Sequence, residues 1–129
     1  MSAVRLFVYG SLRRNAEQVA HPLLVDAAFV GGATVAGTLY AVAWYPGLVL
    51  AGEGAVHGEL YELPAGRADA ILHSLDDYEG GGFRRRKVTA ALASGDRCEA
   101  WTYAYLGPVH ALEVIASGDY GAPVHRAHP

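Results

Sequence analysis

Residues 68–106, ADAILHSLDDYEGGGFRRRKVTAALASGDRCEAWTYAYL, carry a helix pattern, a glycine triplet and two strand patterns in succession, and this order decides the fold. The spacing predicts a helix over about Ala65 to Tyr78, with Ala68, Leu72, Leu75 and then Glu79 at intervals of four, three and four, on one face. Asp76 and Asp77 are expected off that face. A carboxylate in line with core residues should be desolvated, which raises its pKa toward the range useful for proton transfer. Two plainer readings stand beside it: Glu79 frays into solvent with Gly80, Gly81 and Gly82, or it pairs with one of Arg84, Arg85 and Arg86. Phe83 to Leu92 and Glu99 to Leu106 read as two strands joined through Ser94, Gly95 and Asp96. Trp101, Tyr103 and Tyr105 then share one face and read as core or cavity wall, with a phenol available to a ligand as the lesser reading.

Outward from this block the chain is rich in strand signals. Val4 to Tyr9 is a buried strand pattern ended by Gly10 and Ser11, and Val56 to Leu63 alternates with polar residues on both faces until Pro64 closes it. Phe29 to Val42 suggests a strand pair with bulges or a bend around Gly31, Gly32 and Gly37. Trp44 to Gly47 forms a turn before a brief strand at Leu48 to Leu50. Asn15 to Val25, interrupted by Pro22, is helix-compatible, and Pro108 to Ile115 is expected as a last short helix before an irregular tail from Gly118. The fold class expected is α+β: a small, bent, mostly antiparallel β-barrel with two or three flanking helices, because closing the sheet removes its edges and leaves a mouth where loops gather.

At 129 residues the chain fits one domain over residues 1–129, long enough to hide roughly two-thirds of its unfolded surface. With 52% hydrophobic and 18% charged residues it belongs with folded globules. A net charge of −3 argues against a nucleic-acid partner, and no apolar run approaches the roughly 18 residues of a membrane span. The lone Cys98 excludes an internal disulfide and Cys-cluster metal sites and reads as a small apolar residue; a cytoplasmic location is the default expectation.

Tyr9, Gly10, Ser11 and Leu12 would set successive backbone N–H groups in a tight turn of the kind that binds anions, although an ordinary strand-ending turn explains the same four residues. The anion-binding reading gains weight if this turn meets Glu79 at the barrel mouth. No nucleophile elbow surrounds Ser11, and the phosphate-loop and dinucleotide glycine spacings are absent. His110, His125 and His128 gather only loosely near the end, so no metal is expected.

In order along the chain, Phe7-Val8-Tyr9-Gly10-Ser11-Leu12-Arg13, Gly37-Thr38-Leu39-Tyr40, Tyr45-Pro46-Gly47, Val56-His57-Gly58-Glu59-Leu60-Tyr61, Leu75-Asp76-Asp77-Tyr78-Glu79-Gly80 with Phe83 and Arg85, Ala100-Trp101-Thr102-Tyr103, and Ile115-Ala116-Ser117-Gly118-Asp119-Tyr120 resemble the gamma-glutamylcyclotransferase-like family, in particular its gamma-glutamylamine cyclotransferase branch. Phe83 stands where that family usually has Tyr, and Tyr120 where an aromatic, often Trp, is common. The resemblance implies intramolecular aminolysis: the α-amine of a gamma-glutamyl substrate attacks its own side-chain carbonyl, releasing an amine or amino acid and 5-oxoproline. It implies Glu79 as general acid/base and Tyr9, Gly10, Ser11 and Leu12 as the substrate cradle. Because the nucleophile resides in the substrate, no cofactor is expected. A non-catalytic small-ligand barrel of the same fold is the rival reading, and an interaction domain using Trp44 and Tyr45 is a third. The amine half of the substrate and the oligomeric state are open at this level.

Overall fold

The computed structural model describes residues 3–10, 12, 13 and 21–120. Eight strands occur among them: β1 (Val4–Val8), β2 (Ala28–Ala36), β3 (Thr38–Ala41), β4 (Pro46–Val49), β5 (Ala55–Leu63), β6 (Phe83–Leu92), β7 (Arg97–Tyr105) and β8 (Glu113–Val114). One α-helix, α1 (Ala68–Glu79), and a 3-10 turn at Pro22–Leu24 complete the described elements. Five strands close a barrel in the order β1-β5-β2-β6-β7, and β7 returns to β1 through a parallel contact at Leu6 and Trp101. Farther along β7, Ala104 pairs instead with Leu48 of β4, which carries β3 and β8 as a side extension. The sheet is therefore bent and mostly antiparallel, with two parallel junctions, both on β7.

Those junctions are held by side chains. Along β1 and the residue after it, Leu6 pairs with Trp101, the Thr102 hydroxyl donates to the Phe7 carbonyl (3.0 Å), and the Tyr9 hydroxyl donates to the Tyr103 carbonyl (2.6 Å). Tyr9 Oη also accepts from the Leu48 N–H (3.1 Å), so one buried hydroxyl spans the fork where β7 leaves β1 for β4. Phe7 and Tyr9 point into the barrel with Ala33, Val56, Leu60, Ala90 and Ala100. The lumen admits the two rings because its facing positions are small: a Cβ on Gly58 would lie 2.7 Å from Phe7 Cζ and 2.3 Å from the Val8 carbonyl oxygen. The alternate residues Leu6 and Val8 join a second core layer with Ile71, Leu72 and Leu75 of α1 and with Tyr103. Strand period two and helix period 3.6 thus divide one chain into lumen and helix-covered faces.

The expected hairpin is present, with β6 and β7 antiparallel from Phe83↔Tyr105 to Ala91↔Arg97. Phe29 to Val42 resolves into β2 and β3, with a register shift between Phe29 and Gly31. The expected helix from Asn15 to Val25 lies outside the described residues over 15–20, and its remainder holds only the 3-10 turn. Pro108 to Ile115 is not a helix. One turn closes from the Leu112 N–H to the Val109 carbonyl, after which β8 pairs with the open edge of β3; a segment this short gains more from a sheet edge than from helix nucleation. Among the described residues, no helix is long and apolar enough to cross a membrane.

Replacing Tyr9 with Phe keeps the ring and removes the hydroxyl that the buried Leu48 N–H and Tyr103 carbonyl share. We expect Tyr9→Phe to lose about 2–4 kcal/mol of folding stability by urea denaturation. A loss below about 0.5 kcal/mol would show that the fork is held by other means.

Candidate functional site

At the fork, where β1 runs into its loop and the C-terminal end of α1 approaches, lies a cavity of about 260 Å³. Glu79, Tyr78, Tyr9, Gly10, Trp44 and Phe83 contribute to its walls. Glu79 is partly buried, and no hydrogen bond or ion pair reaches its carboxylate from the described residues. Burial without a compensating donor disfavours the charged form and pushes its pKa up to about 7. Of the sequence readings, neither fraying nor an arginine partner describes Glu79. Arg85 binds Asp76, while Arg84 and Arg86 donate to the Phe83 and Arg85 carbonyls.

The helix ends where it must for this placement. Gly80 adopts φ +71°, a conformation that favours glycine, and its N–H closes on the Asp76 carbonyl. Asp76 departs from the expectation that it points away from the apolar face. Its carboxylate accepts the Tyr103 hydroxyl at 2.6 Å and the Arg85 guanidinium at 3.0 and 3.2 Å, tying the last turn of α1 to the β6–β7 hairpin. Position 76 stands four residues after Leu72 and so flanks the buried face. Every β6–β7 pair is equidistant from Ser94, so a turn centred there already places Arg85 opposite Tyr103; that was the available signal for this cluster. Burial first, then the hydrogen bond to Asp76, raises the Tyr103 pKa and keeps this phenol neutral. Asp77 is exposed as expected.

The loop residues divide by role. Gly10 and Leu12 line the same cavity as Glu79, and the turn closes from the Arg13 N–H to the Gly10 carbonyl (3.0 Å). A Cβ on Gly10 would lie 3.0 Å from Pro46 Cγ, so glycine here permits the loop to sit against β4. The Leu12 side chain is buried in the helix-side core. Tyr9 offers its ring, since its proton is committed to Tyr103 and burial raises its pKa. Ser11 lies outside the described residues, as do His125 and His128 of the loose histidine group. Arg13 pairs with Asp119 at 2.8 Å, and the Tyr120 hydroxyl donates to the Trp44 carbonyl at 2.5 Å, so the 117–120 segment braces both sides of the cavity. Phe83 is buried against Tyr45 and Tyr105.

The family described as "Gamma-glutamyl cyclotransferase, AIG2-like" matches residues 6–122. The "Gamma-glutamylcyclotransferase family protein YtfP" of Escherichia coli K12 is 36% identical over 120 residues, covering 91% of this chain and 96% of that protein. The solution structure of protein ytfP from Escherichia coli superposes with a TM-score of 0.63 at 34% identity, over 94% of this chain and 99% of that one. An aig2-like protein from Mus musculus superposes with a TM-score of 0.72 at 23% identity, over 97% and 94%, which speaks for the fold alone.

The raised pKa of Glu79 has a consequence for stability. The folded chain keeps this proton up to about pH 7, whereas the unfolded chain releases it near 4.5. Between those values the native state binds the extra proton, so stability falls as pH rises through the window, by at most about 3 kcal/mol. Glu79→Gln should flatten that slope, and urea midpoints at about pH 5 and pH 8 for both proteins measure it. Equal pH slopes would contradict the burial of this carboxylate.

Proposed function

The chain belongs to the gamma-glutamyl cyclotransferase, AIG2-like family, and on that premise we propose that it cleaves a gamma-glutamyl amine or peptide by intramolecular aminolysis, giving 5-oxoproline and a free amine. The observation that carries this reading is the unpartnered Glu79 carboxylate in the same cavity as Gly10 and Leu12. The substrate's α-amine attacks its own side-chain carbonyl and closes a five-membered ring. Its nitrogen becomes cationic and strongly acidic as the new C–N bond forms. Ionised Glu79 accepts that proton and delivers it to the departing nitrogen as the old C–N bond breaks, so one carboxyl serves both steps and ends as it began. A pKa near the working pH suits both directions of transfer, which an ordinary carboxylate would not.

Backbone N–H groups of the 10–12 loop are assigned to the substrate carboxylate or the developing oxyanion, where fixed amides stabilise charge without reorganising. The ring of Tyr9 and the side chains of Tyr45 and Phe83 exclude water around the reacting atoms. Ring closure needs no enzyme nucleophile, since the reacting groups are held a few bonds apart in one molecule. The substrate is thus a small molecule, and the amine half projects from the cavity.

Glu79→Gln should fold normally and lose at least about a thousandfold in 5-oxoproline release across a panel of gamma-glutamyl compounds. For the unmodified enzyme, kcat/KM should rise with pH through about 7, as Glu79 ionises, and this limb should vanish in the variant's residual rate. Undiminished turnover by Glu79→Gln would overturn the assignment.

A further inference from the structure

Resting on the cyclotransferase reading, we propose that Asp119 is a positioning residue for the substrate: through Arg13 it fixes the turn, starting at Gly10, that receives the gamma-glutamyl half. The turn follows β1 directly, and the pairing of β1 with β5 stops at Val8↔Glu59. Two residues farther back on β5, the His57 N–H donates instead to the Gly118 carbonyl at 2.7 Å. The 117–120 segment thus takes over β5 beside the place where β1 becomes the loop. Arg13, which closes the loop turn, meets Asp119 there at 2.8 Å across 106 positions of sequence.

Asp119 is itself firmly seated. Gly118 adopts φ +69°, and a Cβ there would lie 2.1 Å from the Ala55 carbonyl oxygen, so glycine lets the segment run this close to β5. The Gly118 N–H donates to the Ile115 carbonyl (2.9 Å), and the Ile115 N–H donates to the Leu39 carbonyl (2.8 Å). The Asp119 N–H donates to the Ser117 hydroxyl (3.2 Å), and the Tyr120 hydroxyl reaches the Trp44 carbonyl. On the other side of the ion pair, the Arg13 N–H closes the turn on the Gly10 carbonyl, and the Leu12 side chain is buried. Gly10 and Leu12 line the Glu79 cavity, whereas Arg13 and Asp119 do not, so the pair acts on a substrate through the backbone of the turn. A charge-assisted guanidinium–carboxylate contact sets direction as well as distance. Main-chain donors serve a ligand only where they are aimed, and a misplacement of about 1 Å can cost about a hundredfold.

The test measures binding of gamma-glutamylmethylamide and gamma-glutamylglycine by calorimetry in the Glu79→Gln background, where turnover does not interfere. Asp119→Asn removes the ionised partner at nearly constant shape, and Arg13→Gln breaks the same pair from the loop, so one poorly folding variant does not end the test; urea midpoints report folding. Each substitution should weaken both compounds about tenfold and by the same factor, because the turn meets only the half they share. The double variant should be no worse than either single one, as for two residues that act as a pair. With Glu79 in place, Asp119→Asn should raise KM about tenfold and leave kcat within about threefold. Unchanged affinity, a loss that differs between the two compounds, losses that multiply in the double variant, or a fall in kcat at unchanged KM overturns the positioning role, and 5-oxoproline release by the unmodified chain then leaves the cyclotransferase reading standing. Equal weakening of both compounds with no 5-oxoproline from the unmodified chain does the reverse, and binding of neither compound removes both.

Discussion

The edge of β7 has to serve two strands, and the Tyr9 hydroxyl is what makes that division workable. A strand edge offers one row of backbone groups, and β1 uses it at Trp101 while β4 uses it at Ala104. At the division lie the Tyr103 carbonyl and, on β4, the Leu48 N–H, both buried and both bonded to the Tyr9 hydroxyl. Left unpaired, each would cost about 1–3 kcal/mol. A single hydroxyl, donor and acceptor at once, satisfies both. The barrel can therefore open a fork without exposing backbone, and the fork is where the cavity forms.

Everything chemical in the cavity follows from that opening. Because β1 parts from β7 there, its following loop is free to turn toward α1 instead of continuing a ladder. The helix crosses the outer face of the same strands, anchored by Leu72 and Leu75 in the core and by Asp76 on Tyr103 and Arg85. That anchor lies one turn before Glu79. With Asp76 holding the Arg85 guanidinium, Glu79 has no cation partner among the described residues, and burial raises its pKa. An arginine turned from Asp76 to Glu79 would hold the carboxylate ionised and poorly basic. The neighbouring acid thus keeps Arg85 engaged while the apolar wall raises the Glu79 pKa.

The sequence made some of this legible and hid the rest for a physical reason. The intervals Ala68, Leu72, Leu75, Glu79 report a helix face directly, since period and burial are local properties. The β6–β7 hairpin was equally readable from its Ser-Gly-Asp turn. The segment from Pro108 to Ile115 reads as helix in isolation because its fate depends on an open edge of β3 more than 70 residues earlier. The Tyr9 fork is of the same kind: three contacts between residues more than 90 apart, which no periodicity encodes. Asp76 falls between these cases, hidden in isolation yet implied once the hairpin register sets Arg85 beside Tyr103.

The proposed chemistry places two demands on Glu79 that pull against each other. Its pKa must stay high enough to return a proton to a poor leaving nitrogen, yet the substrate brings a carboxylate into the same small cavity. A second negative charge would raise that pKa further and leave the residue protonated, unable to begin. The loop after β1 addresses this if its amides take the incoming carboxylate, because their dipoles offset its charge without placing a formal cation beside Glu79. A lysine or arginine in the loop would neutralise the substrate equally well and drag the Glu79 pKa down with it. Under the proposed chemistry, main-chain donors from a glycine turn opposite a desolvated acid would meet both demands, and Arg13 is paired with Asp119.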